Sequence, residues 1–317
     1  YKGEYYIGTY GGGMMVLNPE TLSLNYFSRG DTELFQKGHI FCVRPDEKEN
    51  LWIGTSQGLF CYDLEKDQLR NHTLKDFSFL TSNVQTFAFD NSGTLWIGCY
   101  GDGLFYSKDR LKTLHPYLSP VDKQETYAND VVICLAKGAY NCLYVGSLKG
   151  GVKELNLTSN KLHDLLSVDE GGESVFCREL LVASDNELWI GAESGLYIYN
   201  LRTGKYVHLR SSINDPYSLS DNAIYSLCKD REGGIWIGSY FGGINYYPRF
   251  YTNFEKYYPK GAANGLQGKR VREFCQDNQG ILWIGTEDGG LNRFNPKIHH
   301  SDCHQRSSKC KMQAVSL

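Results

Sequence analysis

The sequence predicts an all-β fold, a seven-bladed β-propeller of four-stranded antiparallel blades. Three observations carry this. A tripeptide recurs seven times: Tyr6-Ile7-Gly8, Trp52-Ile53-Gly54, Trp96-Ile97-Gly98, Tyr144-Val145-Gly146, Trp189-Ile190-Gly191, Trp236-Ile237-Gly238 and Trp283-Ile284-Gly285. Its glycines are spaced 46, 44, 48, 45, 47 and 47 residues apart, a period that marks one propeller blade per repeat. All five tryptophans of the chain fall at this one position, and 34 glycines with 14 % aromatic residues point to short strands and tight turns.

Each repeat reads as four strands, A to D. Strand A is a short apolar run such as Ala223 to Leu227 or Val84 to Ala88. A turn follows, Asp90-Asn-Ser-Gly93, Asp230-Arg-Glu-Gly233 or Asp277-Asn-Gln-Gly280, in which Asp initiates and Gly supplies positive φ. The tripeptide is strand B. A glycine-bearing loop leads to strand C, which ends in Asp63, Asn200 or Asn295, and strand D precedes a longer, variable loop. No stretch of helical period competes. A four-stranded sheet cannot bury its faces alone, so Trp52, Trp96, Trp189, Trp236 and Trp283 are expected to fill space between blades, with Gly54, Gly98, Gly191, Gly238 and Gly285 beside them.

Composition sets the outer limits. With 33 basic and 36 acidic residues the net charge is −3, which argues against a dedicated nucleic-acid surface. No window approaches the ~18 apolar residues of a membrane span. The N-terminal Tyr1-Lys-Gly-Glu is no signal peptide, so a targeting segment is expected to have been removed or to lie outside this sequence. Ten cysteines without a CxxC do not make a small disulfide scaffold.

These residues resemble the two-component-regulator propeller repeat of periplasmic sensor regions in Bacteroides-type hybrid two-component systems. Leu-Trp-Ile-Gly followed by Gly-Leu recurs at Leu51 to Leu59, Leu95 to Leu104, Leu188 to Leu196 and Leu282 to Leu291. More specific is Asn214-Asp-Pro-Tyr-Ser-Leu-Ser-Asp-Asn222 leading into strand A. The resemblance covers about residues 1–296. It implies a propeller cut from a longer sensor, with a second propeller, a membrane helix and a histidine kinase elsewhere in that protein. It also implies a periplasmic location, an oligosaccharide stimulus and a homodimer.

The chain begins inside a blade, with residues 5–9 as strand B. One propeller domain is expected over 1–296. The tail, 297–317, reads mostly as loop, except that 312–317 looks like a strand A that closes the ring. Its His299, His300, Cys303, His304 and Cys310 match no standard zinc spacing, so no metal and no cofactor are expected. Cys42, Cys134, Cys228 and Cys275 lie an even number of residues before their glycine and are expected as small buried fillers near the axis. Cys134 with Cys142, across an A–B hairpin, is the disulfide to check.

The B–C and D–A loops of a propeller share one face. The B–C loops carry Tyr10, Tyr100, Tyr240 and Phe241 beside Asp102, Glu193, Glu287 and Asp288. The D–A loops add His39, Asn83, Asn129, Asp130, Asn222, Lys269 and Arg270, with Arg44 and Arg272 on strand A. Rings beside polar groups suit sugars, and Arg270 with Arg272 would clamp an acidic one. The function expected is therefore a non-catalytic sensor module that binds an oligosaccharide. Two alternatives stay open: a scaffold for protein–protein contact or dimerisation, favoured by a large apolar patch, and a propeller lyase or glycosidase, favoured by convergent His and carboxylate side chains. The histidines occupy different repeat positions, and no nucleophile elbow occurs.

Overall fold

The computed structural model describes residues 3–28, 32–46, 48, 50–70, 83–109, 111–118, 130–215, 217–249, 257, 259, 265–296 and 300–304. The fold is a β-propeller: the described strands form seven antiparallel sheets, one per repeat and in chain order. Sheet 1 has Tyr5–Gly8, Met14–Leu17 and Leu24–Tyr26, and sheet 2 has Ile40–Pro45, Asn50–Thr55, Gly58–Asp63 and Gln68–Arg70. Sheet 3 runs Val84–Phe89, Leu95–Cys99, Gly103–Ser107 and His115–Pro116, and sheet 4 runs Val132–Lys137, Cys142–Ser147, Val152–Asn156 and Lys161–Leu166. Sheet 5 has Cys177–Ser184, Glu187–Ala192, Gly195–Asn200 and Tyr206–Leu209. Sheet 6 has Ile224–Lys229, Ile235–Ser239 and Ile244–Tyr247, and sheet 7 has Val271–Gln276, Leu282–Thr286, Gly290–Asn295 and His300–His304.

One element differs from the sequence reading. Thr32–Lys37 is a helix, although no helical period is visible. Six residues are too few to show one. Its Leu34 and Phe35 are buried against Phe27 and Phe60, so packing rather than pattern forms it. In the tail, His300–His304 is a strand and pairs with Gly290–Asn295 as the fourth strand of sheet 7. The expected ring-closing strand, 312–317, and Cys310 and His299 of the tail lie outside the described residues.

The chain groups into two compact units. Sheets 1 to 6 belong to Tyr1–Ser211 with Leu219–Arg249, and sheet 7 to Ser212–Ser218 with Phe250–Leu317. Within sheet 7 the four strands pair in chain order. In the second unit, the Asp-Pro-Tyr-Ser phrase closes on itself. Ser218 Oγ accepts from Ser212 N at 2.9 Å and donates to Asp215 O at 2.7 Å.

In the first unit the A strands of sheets 2 to 6 touch in order. The core is a series of junctions, each apolar cluster drawing on two consecutive sheets. The repeated ring faces the sheet that follows it. Trp52 meets Phe89 at 5.6 Å between ring centroids, and Trp189 meets Tyr247 at 4.9 Å. Trp236 departs from the expectation, being 47 % exposed, because sheet 6 is the last of its unit and no further sheet of that unit covers it.

The A–B turn does two jobs. Asp90 Oδ1 accepts from the backbone of Ser92 and Thr94, and its Oδ2 accepts from Trp96 Nε1 at 3.0 Å. Asp46 with Trp52, Asp230 with Trp236, and Asp277 with Trp283 repeat this at 3.0, 3.1 and 2.9 Å. Sheet 5 lacks the Asp, and Glu187 serves Trp189 instead. The strand C ends are also turns with a side-chain acceptor: Asn18, Asp63, Asn156 and Asn200 each accept from two backbone N–H groups just ahead.

The tripeptide glycine has a steric reason. A Cβ on Gly98 would sit 2.5 Å from Val132 Cγ1 and 2.7 Å from Thr86 Cγ2, and one on Gly191 would sit 2.9 Å from Ile224 Cγ2. Glycine here admits the following sheet. Gly98→Ala is expected to destabilise the protein by about 1–3 kcal/mol through overpacking, read as a lower denaturant midpoint at unchanged m-value. A neutral result would show that the junction has slack.

The cysteine expectations need correction. Cys134 and Cys142 are free thiols, not a pair. Cys134 stands opposite Gly146 in the register, and Cys142 Sγ donates to Ala139 O at 2.9 Å. Cys228 and Cys275 are exposed rather than buried. Each lies on the outermost strand A of its unit, where no further sheet of that unit packs over it.

Candidate ligand-binding face

Three positions recur around the B–C loops, counted from the tripeptide glycine. The residue two after it donates its N–H to the carbonyl of the residue fifteen before it. This bond joins Ser56 to His39, Tyr100 to Asn83, Leu148 to Val131, Glu193 to Phe176, Tyr240 to Ala223 and Glu287 to Arg270, at 2.9–3.2 Å. It clips the B–C loop to the entrance of strand A in all six sheets that have one. The third position lies thirteen before the glycine. There the ladder skips a residue in every strand A, at Phe41, Gln85, Ile133, Arg178, Tyr225 and Arg272. Such bulges bend a strand and re-aim the skipped side chain.

The bulge and loop residues of one sheet meet. On sheet 5, Arg178 Nε donates to Glu193 Oε1 at 2.6 Å. On sheet 6, the Tyr225 and Tyr240 rings lie 4.8 Å apart. The two sheets connect: Tyr225 Oη donates to Glu193 Oε1 at 3.0 Å, Arg178 lies over the Tyr225 ring, and Phe241 lies 4.5 Å from Tyr240. The sequence reading named Tyr240, Phe241 and Glu193 but missed Arg178 and Tyr225. Their signal was the apolar pair at fourteen and eleven before the glycine, such as Ile224 and Leu227. That odd spacing cannot lie on one face of a regular strand.

On sheets 1 to 3, Tyr10 and Tyr100 are 83 % and 50 % exposed. Tyr10 rests against His39, with ring centroids 4.2 Å apart, and near Phe41. His39 Nδ1 and Asn83 Oδ1 occupy equivalent positions. Both atoms are buried without a hydrogen-bond partner among the described residues. Asp102 follows Tyr100 on the same loop, and Asn129 lies outside the described residues.

In the second unit Arg270 and Arg272 converge as expected, but on Glu287. Arg272 Nε donates to Oε1 at 2.6 Å and Arg270 Nη1 lies 3.5 Å from Oε2. Backbone N–H groups of Lys269 and Arg270 donate to Asp288, holding its carboxyl below the usual range. Two guanidinium groups thus share one carboxylate, while Asp288 is held by backbone N–H groups. A separate cleft of about 550 Å³ lies at the A–B turn end of sheets 5 and 6, lined by Trp189, Lys229, Arg231 and Arg249 among others. It was not among the sequence candidates. Among the described residues no helix is long and apolar enough to cross a membrane.

Sheets, bulges and clipped loops of this kind define a class. The chain carries two component regulator propeller repeats, with the family model matching residues 78–101, 218–241 and 265–288. Each match runs from the approach to strand A through strand B to the B–C loop. A histidine kinase of Formosa agariphila, Histidine kinase P4, is 23 % identical over 263 residues, 76 % of this chain and 18 % of that protein. Among solved structures, the extracellular domain of BT3049, assigned to the hybrid two component systems of B. thetaiotaomicron, matches at TM-score 0.69 and 24 % identity. That match covers 94 % of this chain and 39 % of the other. PorZ, a surface component of the type-IX secretion system of Porphyromonas gingivalis, matches at TM-score 0.61 and 15 % identity, over 95 % and 49 %. The chain therefore spans under half the length of each, and the solved structures speak to the fold alone.

Proposed function

We propose that this chain is a non-catalytic, extracytoplasmic sensor propeller whose B–C loop face binds an oligosaccharide. One observation carries the reading. On that face, exposed rings stand beside polar side chains: Tyr10 lies against His39, and Tyr225 and Tyr240 stand together beside Glu193 and Arg178. Ring faces suit the apolar C–H face of a sugar, while neighbouring polar groups suit its hydroxyls. The likeness to histidine kinases and to extracellular two-component domains supports the sensor role and a periplasmic or cell-surface location. Signal then passes to neighbouring domains or a second protomer by population shift, because the ligand must favour one arrangement over another. The PorZ likeness supports the alternative of a protein-contact face, since the same fold serves a secretion component and Phe241 is 88 % exposed.

The test is a thermal-shift screen against neutral and acidic oligosaccharides, confirmed by calorimetry. A ligand at 100 times its Kd adds about 2.7 kcal/mol to the native state. Tyr100→Ala and Tyr10→Ala should each weaken a confirmed ligand about tenfold or more. Retention of affinity in both, with loss in Tyr225→Ala and Tyr240→Ala, would move the site to sheets 5 and 6. Selection of acidic over neutral sugars, abolished by Arg270→Ala with Arg272→Ala, would place it on sheet 7. A folded protein that binds no glycan would favour the contact-face alternative.

A further inference from the structure

At the junction of sheets 4 and 5 two thiols face each other across a motif glycine. Cys134 Sγ lies 3.5 Å from Cys177 Sγ, and both residues are buried. The repeat explains why. At three motif glycines, the side chain twelve residues before the glycine and the one fourteen before the next glycine, from the following sheet, both lie over it. At Gly98 these are Thr86 and Val132, and at Gly54 they are Cys42 and Val84. At Gly146 they are Cys134 and Cys177, whose sulfurs would lie 2.4 and 2.6 Å from a Cβ placed there. The fourteen-before position is Ile40, Val84, Val132, Ile224 or Val271 in the other sheets, and only sheet 5 has cysteine there. Gly146 thus faces two sulfurs, where Gly54 faces one sulfur with a valine and Gly98 a threonine with a valine.

We infer that Cys134 and Cys177 are the site of an inter-blade disulfide that staples sheet 4 to sheet 5. The sulfurs must close from 3.5 Å to about 2.05 Å. The two thiols lose two protons and two electrons as the S–S bond forms. A disulfide oxidant, a small-molecule or protein dithiol–disulfide, takes the electrons and is cleaved to two thiols. Burial pushes the Cys134 thiol well above its ordinary range, so attack in the folded protein is slow and the bond forms during folding. The extracytoplasmic location proposed above is where such a bond persists. The chemistry does not depend on any glycan.

The test is refolding of the whole chain in a reduced/oxidised glutathione mixture, followed by alkylation in denaturant and peptide mapping without reduction. The expected result is one linked peptide pair containing positions 134 and 177, with two thiols fewer than in the reduced protein. Dithiothreitol should then lower the melting temperature by several degrees. Cys177→Val, which restores the residue type of the other junctions, should fold, keep Cys134 alkylatable and lose the dithiothreitol sensitivity. Cys142→Ser should behave as wild type. Recovery of Cys134 and Cys177 as alkylated thiols after oxidative refolding, or linkage of Cys134 to another cysteine, overturns the assignment.

Discussion

Trp189→Ala is expected to cost about 3–5 kcal/mol of unfolding free energy, whereas Trp236→Ala, at the same position of the next repeat, should cost only about 1–2 kcal/mol. Trp189 is 2 % exposed and lies against Tyr247 of sheet 6, in a cluster with Leu196, Ile224, Ile235 and Ile237. Removing the indole leaves a cavity between two sheets that cannot collapse, because both ladders are hydrogen-bonded. It also strands Glu187 Oε1, which accepts from Trp189 Nε1 at 2.7 Å. Trp236 meets Tyr246 of its own sheet, at 4.7 Å, donates to Asp230, and is 47 % exposed. About half of it is exposed already, so less burial is lost than at Trp189. Urea unfolding of the two variants is the measurement. For Trp189→Ala the melting temperature should fall by on the order of 10 °C. An equal loss at Trp236 would overturn the account of which junctions hold the first unit together.

The second large effect is expected at Asp90. Asp90→Ala should cost about 2–4 kcal/mol, because it leaves the buried Trp96 Nε1 and Thr94 N–H without their acceptor and removes the one that Ser92 N–H uses in the exposed turn. Asp90→Asn keeps one acceptor oxygen and should cost less. The carboxylate also ties stability to pH. Burial by itself raises the Asp90 pKa, but the bonds from Trp96, Ser92 and Thr94 outweigh it and hold the carboxyl below its ordinary value; Asp46 is held down in the same way. A depressed folded-state pKa contributes stability that is present above the unfolded value, about 3.9, and is lost as pH falls through the folded value. The melting temperature should therefore be level between about pH 5 and 7 on account of these groups and fall below about pH 4. The acid limb should be shallower in Asp90→Asn. An unchanged acid limb would show that other carboxylates govern it.

The two predictions mark a division that runs through the molecule. The tryptophan period, the Asp-to-Gly turns and the strand C ends are local devices, each written in consecutive residues, and they appear in the structure as read. The turn aspartates hold more than the turn, since each also accepts from the indole six residues on, a link that spacing alone hints at. The exposed rings of Tyr10, Tyr100, Tyr240 and Phe241 were legible because loops between short strands reach solvent. Arg178 and Tyr225 were not, because strict alternation assigns every strand residue to one of two faces. A bulge breaks that alternation, and its trace is only the odd spacing of two apolar residues. Helix Thr32–Lys37 left no pattern because a single turn and a half has none.

By itself, the sequence determined the number of sheets, their strand order and the residue types at each junction. Periodicity and turn chemistry are properties of neighbouring residues, so no distant contact is needed to read them. Only tertiary structure decided which junctions are dry, which ring is half exposed, and which cysteines face each other. Trp189 and Trp236 are the same letter in the same motif, and Cys134 stands opposite Cys177 rather than Cys142. Burial and sulfur–sulfur distance are set by how one sheet approaches the next, across 43 residues of chain in the case of the cysteines. That approach is the sum of many weak packing contacts, and no short stretch of sequence contains it.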